Sequence, residues 1–159
     1  MAFFIGCGVI LQQGEKYVLI QEVRHEKAGF YNLTAGTLEL HEDVLQCVIR
    51  EAKEETGADV TLDCFVGVYQ TVIASGSNVV FLVFAGSVAD DTNFRSDEHK
   101  IIKSYSYEEL LELNRTAQMR SPIVLKSIQD YRDGQQLPLE SVQTWHVDHL
   151  PSITVEKDH

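Results

Sequence analysis

Cysteine is scarce in this 159-residue chain: Cys7, Cys47 and Cys64 are odd in number and form no CxxC pair. That argues against a disulfide framework and a cysteine-rich zinc site, and leaves a reducing, cytoplasmic setting as the expectation. Proline is equally sparse, with three in all. No Pro-, Gly- or Ser-rich linker divides the chain, and no repeat or low-complexity stretch interrupts it. No apolar run approaches the roughly 18–20 residues of a membrane span. The opening MAFFIGCGVILQQ has no basic start and only a short apolar run, so no signal peptide is expected and it reads as a first strand. The piece FIGC loosely resembles a lipoprotein cleavage site, but too few residues precede Cys7 to form a targeting segment. Positive charge is the largest deficit: 13 Lys and Arg stand against 24 Asp and Glu, a formal net charge of −11. Nucleic acid polymers and anionic membranes are disfavoured as partners, because binding them relies on Lys and Arg neutralising phosphate. Small phosphate ligands remain compatible where a cation bridges the repulsion.

What is present reads as one globular domain over residues 1–159, with 44% hydrophobic residues and enough length to bury a core. Strands are expected at Phe3–Gln12 and Tyr17–Arg24, joined through Gln13-Gly14-Glu15, with short extended pieces at Phe30–Leu33 and Thr37–Leu40. A helix follows at about Asp43–Thr56. Asp43 and Gln46 stand in capping-box positions and Gly57 is suited to close it. Val44, Leu45, Val48, Ile49 and Ala52 share one side of that helix and should face a core. Two β-rich segments, Val60–Ala74 and Asn78–Val88, meet across Ser75-Gly76-Ser77. A polar loop leads to a short strand near Ile101–Tyr105 and a short helix near Tyr107–Leu113. Ser121-Pro122 begins a last helix that Gly134 closes. Pro138 and Pro151 punctuate the tail; Trp145 suggests that part of it packs, and from about residue 143 a looser course is expected. Strands before, between and after helices imply an α+β or mixed α/β sandwich.

One short stretch of the first helix crowds like charges. Glu51, Glu54 and Glu55 fall within an arc of about 100° on the helix surface, at the end where the dipole is already negative. A solvated acidic face with Arg50 and Lys53 as partners is one reading. A divalent cation is the other, since carboxylate oxygens are hard ligands suited to Mg²⁺ or Mn²⁺, which bridge to substrate phosphate.

The frame around the cluster runs from Gly36 through Glu42 to Arg50-Glu51-Ala52-Lys53-Glu54-Glu55-Thr56-Gly57-Ala58. It resembles the Nudix box, Gx5Ex7REUxEExGU, over residues 36–58, and all seven fixed letters match. Both aliphatic U positions are Ala here. Tyr31-Asn32-Leu33-Thr34-Ala35-Gly36 is similar to the family's approach to the box, with Tyr in place of Trp and Thr34 in place of Pro. Ser104–Leu110 resembles its later strand-to-helix element. Met119-Arg120-Ser121-Pro122 and Tyr131–Gln135 with Pro138-Leu139-Glu140 resemble the family's bacterial NudJ-like phosphatases, which act on nucleoside di- and triphosphates and on a pyrimidine pyrophosphate.

The resemblance implies a Nudix-type α/β/α sandwich with a mixed β-sheet. It also implies a Mg²⁺-dependent hydrolase, with Mn²⁺ an alternative metal, that cleaves phosphoanhydrides of nucleotides or small organic pyrophosphates. The metal would be held by Glu51, Glu54, Glu55 and the Gly36 carbonyl, with Glu42 assisting. Arg50 would orient the carboxylates, and Glu51 and Glu54 would serve catalysis. Asp97 and Glu98 lie on the loop where the family can place a general base, Glu98 being favoured. Arg24, Lys27 and Arg120 are candidates for distal phosphates. Phe4, Phe30, Tyr31, Tyr69 and Phe81 are candidates to stack on a base or, as strand aromatics, to fill the core. The six histidines show no metal-ligand spacing on a helix. The extended motif of coenzyme A hydrolases is lacking, and Ala74-Ser75-Gly76 stand where ADP-ribose and dinucleoside hydrolases carry Pro or Tyr. The expected partner is a small phosphorylated molecule, with neither polymer nor membrane, on a monomer or small homo-oligomer. A catalytically silent, nucleotide-binding regulatory module is the competing class.

Overall fold

A computed structural model describes residues 3–23, 28–72, 76–96 and 101–145. The strands are β1 (Phe3–Gln13), β2 (Lys16–Gln21), β3 (Tyr31–Asn32), β4 (Thr34–Thr37), β5 (Thr61–Val72), β6 (Asn78–Val88) and β7 (Ile101–Tyr105). The helices are α1 (Val44–Thr56), α2 (Tyr107–Arg115) and α3 (Pro122–Arg132), with a 3₁₀ turn at Leu139–Ser141.

The strands form a mixed sheet. β1 runs parallel to β6 along its whole length, from Phe3 opposite Asn78 to Gln13 opposite Val88. Its other edge is shared between two antiparallel partners. β4 takes the first half, Gly6–Val9, and β2 takes the end, Leu11–Gln13. β2 therefore diverges from β1 where β4 enters, and this split positions the site.

Side chains alternate across β1. Cys7, Val9 and Leu11 join Cys47, Val48 and Ala52 of α1 and Phe84 of β6 in a core on one face. Ile10 joins Leu110 of α2 and Val124 and Ile128 of α3 on the other. Helices thus cover both faces in the expected α+β sandwich. Phe84, Ile10 and Leu11 are fully buried, and each such side chain contributes ~1.5–3 kcal/mol.

Asp43 caps α1 in a capping box with Gln46, and Gly57 closes it in the left-handed conformation at φ 70°. Ser121 caps α3, with Pro122 in its first turn. The expected strand over Tyr17–Arg24 stops at Gln21, and Arg24 lies outside the described residues. The extended piece expected at Thr37–Leu40 is displaced: β4 ends at Thr37, because its ladder with β1 begins at Gly6. The core face of α1 is also rotated from the apolar stripe. Cys47, Val48, Ala52, Glu55 and Thr56 are buried, whereas Ile49 is 46% exposed. Leu139 and Val142 of the tail pack against the α1-side core, but Trp145 is 79% exposed and does not anchor it.

Candidate active site

β4 and the loop after it bring the backbone of residues 35–37 against the side of α1, and the box closes on itself there. Ala35 N–H donates to Glu55 Oε2 at 2.9 Å, which explains how a carboxylate only 3% exposed is tolerated inside the buried arc. Thr56 is also buried; its hydroxyl donates to the Ala52 carbonyl at 2.6 Å and accepts from Ala58 N–H at 3.2 Å. The backbone N–H of Arg95 donates to the Thr56 carbonyl at 2.8 Å, tying the helix end to the polar loop.

Gly36 packs on Glu51. A Cβ at position 36 would lie 1.9 Å from the Glu51 carboxyl carbon, so any side chain there would occupy the seat of that carboxylate. The glycine is required by close approach, with its backbone φ outside the left-handed region.

Arg50 is the hub. Its Nε donates to Glu42 Oε1 at 2.6 Å and its Nη2 to Glu42 Oε2 at 3.0 Å, a two-pronged pair. Nη1 donates to Glu51 at 2.7 Å and to Glu54 at 3.1 Å, while Nη2 also reaches the Thr37 carbonyl at 3.3 Å. All five guanidinium N–H groups are thereby engaged. The surrounding carboxylates push the Arg50 pKa up. In return the guanidinium, helped by the Glu39 backbone N–H at 3.2 Å, holds Glu42 well below the carboxylate range, at about 2.

This pair carries a pH prediction. Glu42 is 12% exposed and its pKa is depressed from 4.5 to about 2, so its stabilisation is full above pH 4.5 and is lost as pH falls through about 2. Glu42→Gln is expected to lower stability by ~1–3 kcal/mol at pH 7. The deficit should shrink toward zero near pH 2, as read by urea unfolding at the two pH values.

No three acidic, Cys or His side chains among the described residues converge on an empty centre as a ready-made metal cage. Oxygens of Glu51 and Glu54 are instead held by Arg50. The donor set nevertheless suits a hard divalent cation, consisting of carboxylate oxygens beside the backbone of Gly36, whose missing side chain leaves Glu51 its seat. Lys53 points away and pairs with Asp59 at 2.7 Å, so it does not neutralise the cluster.

On the opposite face of β4 lies a cavity of about 310 Å³, lined by Gly8, Ala35, Thr37, Phe81, Arg120 and Ser121 among others. Arg120 is exposed and its guanidinium has no partner among the described residues. Its backbone N–H donates to the Tyr31 carbonyl at 2.8 Å, and Tyr31 N–H donates to Gln118 at 2.8 Å. Tyr31 itself is 8% exposed, with its ring edge-on to Tyr105 at 5.5 Å. It sits in the core and positions Arg120 through the backbone rather than presenting its ring to the cavity. Glu98, Asp97, Arg24 and Lys27 lie outside the described residues. Sequence reasoning missed the Ala35 N–H and the Thr37 carbonyl, since backbone groups carry no residue-type signal; it considered Phe81 only as one of several strand aromatics.

Comparison with known proteins agrees with this geometry. Residues 3–126 match the NUDIX domain. The chain is 29% identical over 129 residues to Phosphatase NudJ of Escherichia coli K12, covering 80% of this chain and 82% of that protein. A NUDIX hydrolase from Nitrosomonas europaea superposes with a TM-score of 0.80 at 28% identity, covering 91% of this chain and 98% of that one. A MutT protein from Methanosarcina mazei shares the fold at a TM-score of 0.70 and 17% identity, over 84% of this chain and 96% of that one. The chain belongs to the NUDIX family. It is a hydrolase, and its curated relatives include phosphatases.

Proposed function

We propose that this protein is a Mg²⁺-dependent hydrolase, with Mn²⁺ as an alternative metal, that cleaves a phosphoanhydride in nucleoside di- or triphosphates or small organic pyrophosphates. It would act as one cytoplasmic catalytic domain spanning residues 1–159, as a monomer or small homo-oligomer. The observation that carries this reading is the gathering of Glu42, Glu51 and Glu54 around Arg50, with Glu55 fixed by Ala35 and Gly36 beneath Glu51. When bound, a divalent cation supplies charge neutralisation, a grip on pyrophosphate oxygens and a lowered pKa for the attacking water.

Glu51, Glu54, Glu55 and the Gly36 carbonyl would hold the cation. Glu42 keeps Arg50 in place, and Arg50 sets the orientation of Glu51 and Glu54. Arg120, a cation whose guanidinium has no partner among the described residues, would take charge on the phosphate distant from the cleaved bond. Glu98 is proposed as the base that accepts the water's proton, and Arg24 as a further phosphate contact. Water attacks phosphorus, the bridging P–O bond breaks and the leaving oxygen departs with its electron pair. Similarity to Phosphatase NudJ supports release of inorganic phosphate.

The test is colorimetric phosphate release by the purified protein across nucleoside di- and triphosphates, with and without MgCl₂. Release that requires the divalent cation is expected. Tight nucleotide binding with no turnover under any metal or pH would overturn the proposal in favour of a silent binding module.

A further inference from the structure

One end of the sheet is β5, and the two halves of that edge strand differ. Along its first half the edge is disrupted and covered. The β5–β6 register shifts between Leu62 and Cys64 and again between Phe65 and Gly67, and such bulges blunt an edge. Phe65 exchanges both backbone hydrogen bonds with Leu137, at 2.9 and 2.8 Å, and Gln135 Nε2 donates to the Val66 carbonyl at 2.8 Å. A Cβ at Gly67 would lie 2.9 Å from that same nitrogen, so the cover reaches position 67 and fits because no side chain stands there. Beyond it, Val68 to Val72 pairs with β6 in unbroken register, from Leu82 to Asn78. No backbone group of that half bonds to anything outside the ladder among the described residues.

Alternation fixes which groups face outward. The bonds to Leu137 show that Phe65, opposite Phe84, points its N–H and C=O away from β6. Every second residue of β6 from Phe84 gives Leu82, Val80 and Asn78, so their partners Val68, Gln70 and Val72 also point their backbone groups outward. Val68 and Val72 are 61% and 64% exposed. Gln70 between them is exposed too, with its side-chain amide donating to Asn78 at 2.8 Å. Natural edges ordinarily carry a charge or a proline against stray pairing. Between Asp63 and Asp90 this chain has neither.

That composition says which strand fits. Two copies of a chain with net charge −11 repel over most of their surface, and contact is least opposed where neither carries charge. An antiparallel strand is also complementary to itself about a twofold axis. With the axis at Gln70, that residue faces Gln70 of the second copy, and each Val68 faces a Val72. These pairs fall at hydrogen-bonding positions, so each exchanges two backbone hydrogen bonds while the valines cover one another.

We infer that two copies of this chain pair through the free half of β5, antiparallel and centred on Gln70, so that one sheet continues across the twofold axis. The inference does not depend on the hydrolase reading, because mass and not turnover tests it. Sedimentation velocity of the wild type should give a mass that rises toward twice 17.9 kDa as concentration reaches about 100 μM, an edge contact being small. Gln70→Lys sets like charges across the axis. It should weaken association about tenfold or more at low salt and recover part of it in about 0.5 M NaCl. Gln70→Pro removes an outward N–H without touching the β6 ladder, and should leave a monomer with an unchanged far-UV circular dichroism spectrum. Gln70→Cys should cross-link to its own copy under mild oxidation, since such pairs hold their Cα atoms about 5.5 Å apart, whereas Thr61→Cys on the covered half should not. A wild type that stays monomeric at every concentration would overturn the inference and leave the edge to a strand of a different protein. A dimer indifferent to Gln70→Lys and Gln70→Pro, or one in which Gln70→Cys does not cross-link, would overturn it by moving the contact elsewhere. If Gln70→Pro does not fold, Gln70→Lys and the cross-link decide between the same outcomes.

Discussion

Glu54→Gln is expected to cut phosphate release by about 10³-fold while the protein folds as before. The substitution keeps volume and shape and removes one negative charge. Glu54 is 51% exposed and its one ion-pair partner among the described residues is Arg50, at 3.1 Å, so the stability cost should stay within ~0.5 kcal/mol. A rate loss of that size with an unchanged unfolding midpoint separates a chemical role from a packing role. A second readout sharpens it. Ligand binding to the folded state stabilises it by RT ln(1 + [L]/Kd), so MgCl₂ should raise the melting temperature of wild type and do so less for Glu54→Gln. Full activity in the variant would remove Glu54 from the cation site. A silent binding module predicts the loss of Mg²⁺ stabilisation but no activity to lose, so the two classes part on the same pair of measurements.

The residues that made the site legible are those whose side chains carry both the local signal and the chemistry. Asp43, Gln46 and Gly57 mark the ends of α1 through capping rules that act over a few residues, and the structure has those ends where expected. The glutamates stand out as a crowded acidic arc, and it is the resemblance of residues 36–58 to the Nudix box, not the spacing by itself, that marks them and Arg50 as a site. Tertiary packing decided the rest. Val44, Leu45, Val48, Ile49 and Ala52 form an apolar stripe in isolation. The helix nevertheless turns Cys47 and Glu55 inward, because β4 lies along it and offers the Ala35 N–H to Glu55. Ile49 pays no visible role in the core and is left half exposed. Tyr31, which the sequence leaves open between stacking on a base and filling the core, is held edge-on by Tyr105, a contact across β3 and β7 that no local pattern announces. Thr34 departs from the family's proline; its hydroxyl is buried with no hydrogen-bond partner among the described residues, for which the fold offers no physical account. The cavity wall is the clearest case of a non-local feature. Gly6 and Phe81 are far apart in sequence and meet only because β1 and β6 run parallel in one register.

Gly36→Ala should be nearly as damaging as loss of a carboxylate, although it adds one methyl group and changes no charge. That methyl would sit 1.9 Å from the Glu51 carboxyl carbon, far inside contact distance, so Glu51 must leave its seat or β4 must shift. Movement of the carboxylate is the softer response, because β4 is held by its ladder to β1 from Gly6 to Val9. A displacement of about 1 Å in a catalytic group costs on the order of 100-fold in rate, and that is the expected fall in kcat. The same displacement pulls Glu51 from Arg50 Nη1, now 2.7 Å away, and weakens the orientation of Glu54 on that nitrogen. Shortening the displaced side chain should relieve the clash, so Gly36→Ala with Glu51→Asp should lose less activity than the product of the two single losses. That coupling is the discriminating result. If the two losses simply multiply, Gly36 and Glu51 act independently, and the contact between them is not what makes glycine necessary at the head of the box.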